Sequence, residues 1–85
     1  MDDVDHLVRR VRAGETEAFA EIVRRFERPV WRVVAAMLQD FGAAADVMQQ
    51  VFVDAYTRLH QYRLDGSFEG WVKAIARNRT RMELR

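Results

Sequence analysis

The sequence predicts an all-helical fold, a small bundle of about four helices, and three observations carry that prediction. Every periodic apolar segment repeats at three and four residues, the spacing of one helix face, and none alternates as a strand would. Capping residues stand at the edges of these segments, with Asp, Thr or Ser ahead and glycine behind. The chain holds a single proline, so the helical runs are almost uninterrupted.

Val4, Leu7, Val8 and Val11 mark one face of a short first helix, which Asp2 or Asp3 caps and Gly14 closes. Thr16 offers the next N-cap, with Glu17 well placed for the helix dipole. Phe19, Ile22, Val23, Phe26, Val30, Val33, Val34, Met37 and Leu38 then follow at spacings of three and four. Pro29 either kinks one long helix here or separates two. The apolar phase carries through from Phe26 to Val30, which favours one continuous, kinked helix.

"DFGAAAD" is the next break, with Gly42 expected as a C-cap. The following helix runs from about Ala43 to Leu59 and turns Val47, Val51, Phe52, Ala55, Tyr56 and Leu59 inward. "HQYRLDG" is a polar, turn-rich connection. Ser67 caps the final helix, Glu69 lies in its first turn, and Phe68, Trp71, Val72, Ile75 and Ala76 face the core. Trp31 and Trp71 both read as core residues.

Eighty-five residues make one domain with a small core, since a chain of this size buries only about 60–65% of its unfolded surface. The absence of cysteine excludes disulfides, thiolate metal sites and thiol nucleophiles. The start, "MDDVDHLVRR", is acidic where a signal peptide is basic, and no apolar run approaches membrane-spanning length. A cytoplasmic protein that does not enter a membrane is expected. Charge is unevenly spread: residues 1–39 are balanced, 40–57 carry −3, and 58–85 carry +4.

Catalysis finds no support. His6 and His60 lie in separate segments and outside any metal-ligand pattern, and Ser67, the sole serine, already serves as a cap. No glycine-rich loop leads into a helix in phosphate-binding form. The chain is read as a non-enzyme that needs neither metal nor cofactor.

Three surfaces remain. Lys73, Arg77, Arg81 and Arg85 recur every fourth residue as one stripe, with Asn78 and Arg79 beside it. Like charges at this spacing weaken an isolated helix by roughly 0.2–0.5 kcal/mol per pair. The stripe is therefore either a solvated face helped by the helix dipole or a surface for an anionic partner. On the helix 43–59, Asp46, Gln49, Gln50 and Asp54 fall outside, the first three on one patch. That patch is a solvated polar face or a dock for a basic partner. In "YRLDGSF", Tyr62 either stacks on a base or covers the edge of the core, and Arg63 has the chemistry to pair a phosphate.

Taken in order, "EAFAEIVRRFERPVWRVVAAML", "AADVMQQVFVDAYTRL" and "SFEGWVKAIARNRTRMELR" resemble region 2 of bacterial sigma factors, above all the extracytoplasmic-function (ECF) type. The specific blocks are D-x-x-Q-x-V-F at Asp46 to Phe52 and S-F-x-x-W-x-x-x-I-A-R-N at Ser67 to Asn78. The resemblance implies a promoter-recognition domain spanning residues 1–85. Its helix with Asp46, Gln49, Gln50 and Asp54 would dock on the β′ clamp helices of RNA polymerase core. Gln50 stands where the family usually has glutamate, so a weaker attraction is expected there.

The resemblance also implies that the next loop and last helix recognise and melt the −10 promoter element. Tyr62, Arg63, Asp65, Gly66 and Ser67 would form a pocket for a flipped base. Lys73, Arg77, Asn78 and Arg81 would lie along the single non-template strand. An anti-sigma protein is a further partner that the resemblance admits. Family members carry a C-terminal domain for the −35 element, which this chain, ending at Arg85, does not include. The alternative is a sigma-like interaction module that binds polymerase or a regulator without productive promoter opening.

Overall fold

A computed structural model describes residues 3–64 and 66–84. Four helices dominate: α1 (Asp3–Arg12), α2 (Phe19–Met37), α3 (Phe41–Thr57) and α4 (Phe68–Glu83). Short 3-10 turns at Thr16–Ala18 and Leu59–Gln61 lead into α2 and out of α3. No strand occurs among the described residues.

The apolar stripes read from spacing form one contiguous core. Val4, Leu7 and Val8 of α1, Ile22, Val30 and Val34 of α2, Val47, Val51 and Ala55 of α3, and Phe68, Val72 and Ala76 of α4 are all buried within it. Three helices pack mutually, with α4 against both α2 and α3, while α1 lies against α2 and the Leu59–Gln61 turn. Burying each large aliphatic or aromatic side chain contributes about 1.5–3 kcal/mol, so removal from water dominates the assembly. The expected continuous helix is present: α2 runs unbroken through Pro29. Its 19 residues bury a stripe on both sides of the proline, and that packing outweighs the missing donor.

Termination follows local chemistry. Gly14 closes α1 with φ of 106°, a left-handed conformation that glycine adopts without steric cost. Ser67 caps α4, its Oγ accepting from the Gly70 N–H at 3.0 Å. The cap expected from Asp2 or the Asp3 side chain lies outside the described residues.

Several boundaries differ from expectation. Thr16 does not cap α2 with its side chain; it opens the 3-10 turn, and Ala18 already has helical angles where α2 begins. Gly42 is not a C-cap but lies inside the first turn of α3. The reason is Asp40, whose Oδ1 accepts from the Ala43 N–H at 2.9 Å and so starts α3 two residues early. The preceding helix needs no glycine, because Leu38 leaves it in an extended conformation.

Tyr56, expected inside, is 43% exposed. It lies at the edge of the buried stripe, where its ring meets Phe19 edge-on at 5.1 Å. Trp31 and Trp71 pack against the core from its margin, each half-buried.

Candidate functional site

The loop between α3 and α4 is built around Tyr62. Its backbone leaves the Leu59–Gln61 turn extended, which drives the ring beneath the loop onto Phe68 and Trp71, at centroid distances of 5.1 and 5.5 Å. Only 4% of the residue is exposed. Of the two fates open to it from sequence, Tyr62 covers the core, and its ring offers no face for a base. Its hydroxyl donates to Asp5 Oδ1 at 2.9 Å and lies 3.1 Å from the Gly66 carbonyl.

The Gly66 N–H closes the loop onto the Arg63 carbonyl at 3.1 Å. A Cβ at Gly66 would stand 3.1 Å from that same oxygen, so the turn favours glycine. Arg63, Gly66 and Ser67 are exposed, and Leu64 tucks against the core. Asp65 lies outside the described residues.

Helix α4 sorts its cations by direction. Lys73 is half-buried and paired with Glu69 at 2.7 Å, one turn earlier. Arg77 is exposed and has no acidic partner among the described residues. Arg81 is exposed and donates to Asn78 Oδ1 at 3.0 Å, which keeps both side chains on the outer surface. Arg85 lies outside the described residues. The exposed face thus carries Arg77, Asn78 and Arg81, with Lys73 nearer the loop.

Arg79 points the other way. Its Nε and Nη2 each donate to the Asp54 carboxylate of α3 at 2.9 Å, a two-pronged bond across the helix seam. Gln50 adds a third donor to Asp54 at 3.0 Å. Burial by itself works to raise the Asp54 pKa, but the hydrogen bonds from Arg79 and Gln50, with the guanidinium charge, outweigh it and hold the carboxyl below its ordinary value. The same bond raises Arg79 further above its already high value.

The four polar residues expected together on α3 therefore divide. Asp46 and Gln49 are exposed, Gln50 is half-buried, and only 14% of the Asp54 side chain reaches solvent. Asp46 and Gln50 line a shallow cleft of about 220 Å³ with Arg79 and Glu83 of α4. Gln49 instead belongs to a larger open groove of about 620 Å³ between α2 and α3, whose apolar walls include Phe19, Val23, Phe52 and Val53.

Sequence reasoning did not find this groove, the Asp54–Arg79 bond, or the tie from Asp5 to Tyr62. Asp5 did carry a signal: beside Val4 and three residues before Val8, it falls on the buried side of α1. The other two arise where side chains from different helices meet and leave no local trace.

Comparison with known proteins follows the same geometry. The family described as Sigma-70 region 2 matches residues 22–85. The RNA polymerase sigma-H factor of Pseudomonas aeruginosa is 32% identical over 78 residues, covering 92% of this chain and 40% of that protein. The ECF RNA polymerase sigma-E factor of Escherichia coli is 36% identical over 72 residues, covering 85% and 37%. The ECF RNA polymerase sigma factor SigW of Bacillus subtilis is 29% identical over 73 residues, covering 86% and 39%. The chain spans about two fifths of the length of these relatives.

An NMR structure of an engineered region 2 of sigmaE, solved in complex with GTAAAA, superimposes with a TM-score of 0.89 at 30% identity. The match covers 99% of this chain and 90% of that one.

Proposed function

Because the chain belongs to the Sigma-70 region 2 family, we propose that it is the part of an ECF-type sigma factor that docks on RNA polymerase core and recognises and melts the −10 promoter element. One observation carries the reading furthest: the outer face of α4 presents Arg77, Asn78 and Arg81 on the helix that a capped, closed loop leads into. Guanidinium groups in a row attract a phosphate backbone. A fixed loop at the head of the row offers a surface for an unstacked base.

The work is binding, not covalent chemistry. Phosphate contacts from Lys73, Arg77 and Arg81 position the non-template strand, and the loop surface around Arg63, Asp65, Gly66 and Ser67 distinguishes a base. Tyr62 serves from beneath by holding the loop. Stabilising the unpaired strand favours the open promoter, and no cofactor is needed for that. The GTAAAA bound by the related sigmaE region 2 supplies a ready probe.

The polymerase dock is the exposed face of α3 around Asp46 and Gln49, continuous with the apolar groove. Gln50 and Asp54 support that face from the seam instead of meeting the partner as free charges. The protein acts in the cytoplasm, where polymerase is, and an anti-sigma protein is a reasonable competitor for the same face. Among the described residues, no helix is long and apolar enough to cross a membrane.

The test is capture of polymerase core. The chain should retain core polymerase, and replacing Asp46 and Gln49 together by alanine should weaken retention several-fold while leaving the melting temperature within a few degrees. Failure of the unmodified chain to bind core overturns the docking assignment. The uncharged Gln50 favours a second reading, a module that binds polymerase without opening promoters. Core binding without strand separation is the result that would select it.

A further inference from the structure

The loop that precedes α4 is held by the opposite end of the chain. Tyr62 and Asp5 are 57 residues apart, yet the tyrosine hydroxyl and the fully buried Asp5 carboxylate are joined at 2.9 Å. Arg12, at the other end of α1, donates through Nη2 to the carbonyls of Leu59, at 2.7 Å, and Tyr62. Thus two α1 side chains hold this connection, Asp5 at the Tyr62 hydroxyl and Arg12 at the backbone carbonyls of Leu59 and Tyr62. Both gripping residues precede the segment that matches the family, residues 22–85.

We propose that Asp5 and Arg12 are positioning residues for base recognition: through Tyr62 they hold Arg63, Gly66 and Ser67 in place to meet an unpaired base. The proposal rests on the reading of that loop as the base-reading surface. Asp5 and Tyr62 are both buried, so neither touches nucleic acid; their effect passes through the loop. Among the described residues the tyrosine hydroxyl meets Asp5 Oδ1 and the Gly66 carbonyl, so the three groups are drawn to one point. That point fixes the closed turn from Arg63 to Gly66.

A loop ordered before binding avoids the entropy loss of ordering it on the ligand. More to the point, a loop with one shape discriminates between bases, whereas a loop with many shapes adapts to each. Phosphate contacts on α4 do not depend on the loop's shape. The two contributions are therefore separable, with base preference set by α1 and salt dependence set by α4.

The experiment measures binding of the full 85-residue chain to the single-stranded hexamer GTAAAA and to its single-base variants, each over a range of salt. Tyr62→Phe keeps the ring and removes the hydroxyl. Arg12→Gln weakens the backbone grip. Asp5→Ala removes the acceptor, and Asp5→Asn restores one. The spread between the best and worst hexamer should contract about fivefold in Tyr62→Phe and Asp5→Ala. It should contract less in Asp5→Asn, and the salt slope should stay unchanged throughout.

Melting curves establish which variants fold. Because Tyr62→Phe preserves the packed ring, it decides the matter if Asp5→Ala does not fold. A wild-type chain that discriminates, with a folded Tyr62→Phe that discriminates equally, overturns the positioning role alone. A wild-type chain that binds every hexamer alike overturns the base-reading surface, and the positioning role falls with it.

Discussion

Arg77 and Arg79 lie two residues apart on the same helix and do opposite work. Two steps along an α-helix rotate a side chain by about 200°. Arg77 consequently faces solvent with no acidic partner among the described residues, while Arg79 turns into the seam with α3 and takes both oxygens of Asp54. The difference teaches that charge alone does not mark a binding surface. A cation already matched by a partly buried carboxylate is a structural part; one left exposed is available to a ligand. Asp54 and Asp46 make the same contrast on α3, one enclosed by donors and the other open.

The largest effect should come from breaking the enclosed pair. Asp54→Ala leaves Arg79 in the seam without its acceptor and Gln50 without its partner, and is expected to destabilise the domain by about 1–3 kcal/mol. For a chain of this length that lowers the melting temperature by roughly 5–15 °C, readable by thermal circular dichroism. A change of only a degree or two would mean the seam is held by apolar packing alone.

Acid should expose the same asymmetry. The folded-state pKa of Asp54 is depressed, so the stability it contributes is present above its unfolded value and disappears as pH falls through the folded one. Stability from this group should therefore be flat from neutrality to about pH 5 and decline below the ordinary carboxylate range near pH 4. Denaturant midpoints measured at neutral and acid pH should show a smaller acid loss in Asp54→Asn than in the unmodified chain. An equal loss in both would assign acid sensitivity to other carboxylates.

The smallest effect should come from Lys73, which bonds Glu69 across one turn at the surface. Glu69→Gln should change stability by no more than about 0.5 kcal/mol. It should also free Lys73 and slightly tighten binding of single-stranded DNA at low salt. Tighter binding places Lys73 on the strand path; unaltered binding removes it from that path.

The contrast between the two arginines also marks how far the sequence could be read. Helix faces were legible because Val4, Leu7 and Val8, or Val47 and Val51, repeat at the period that a buried face demands. Gly14 and Ser67 were legible because a left-handed turn and an N-cap each call for a narrow choice of residue. At "DFGAAAD" two signals competed, and Asp40 as an N-cap prevailed over Gly42 as a C-cap. Tyr56 was misplaced because a residue at the margin of a stripe has the right phase without full cover.

The chemistry of the site was less accessible. The spacing of Lys73, Arg77 and Arg81 identified an outer face, but no periodicity encodes that Arg79 would reach Asp54, 25 residues earlier on a different helix. Tyr62 sat between two fates until the fold supplied Asp5 as partner for its hydroxyl. In each case the missing knowledge concerned which helices meet, and at what rotation. Local pattern fixes a side chain's direction relative to its own helix, not what stands opposite.

The most direct test of the account is the salt dependence of single-stranded DNA binding in the Arg77→Ala, Arg81→Ala double variant. If these exposed arginines hold phosphates, the log–log slope should fall by about 1.4, roughly 0.7 for each lost contact, with the melting temperature essentially unchanged. An unaltered slope in a fully folded double variant would contradict it and return the row to a solvated face.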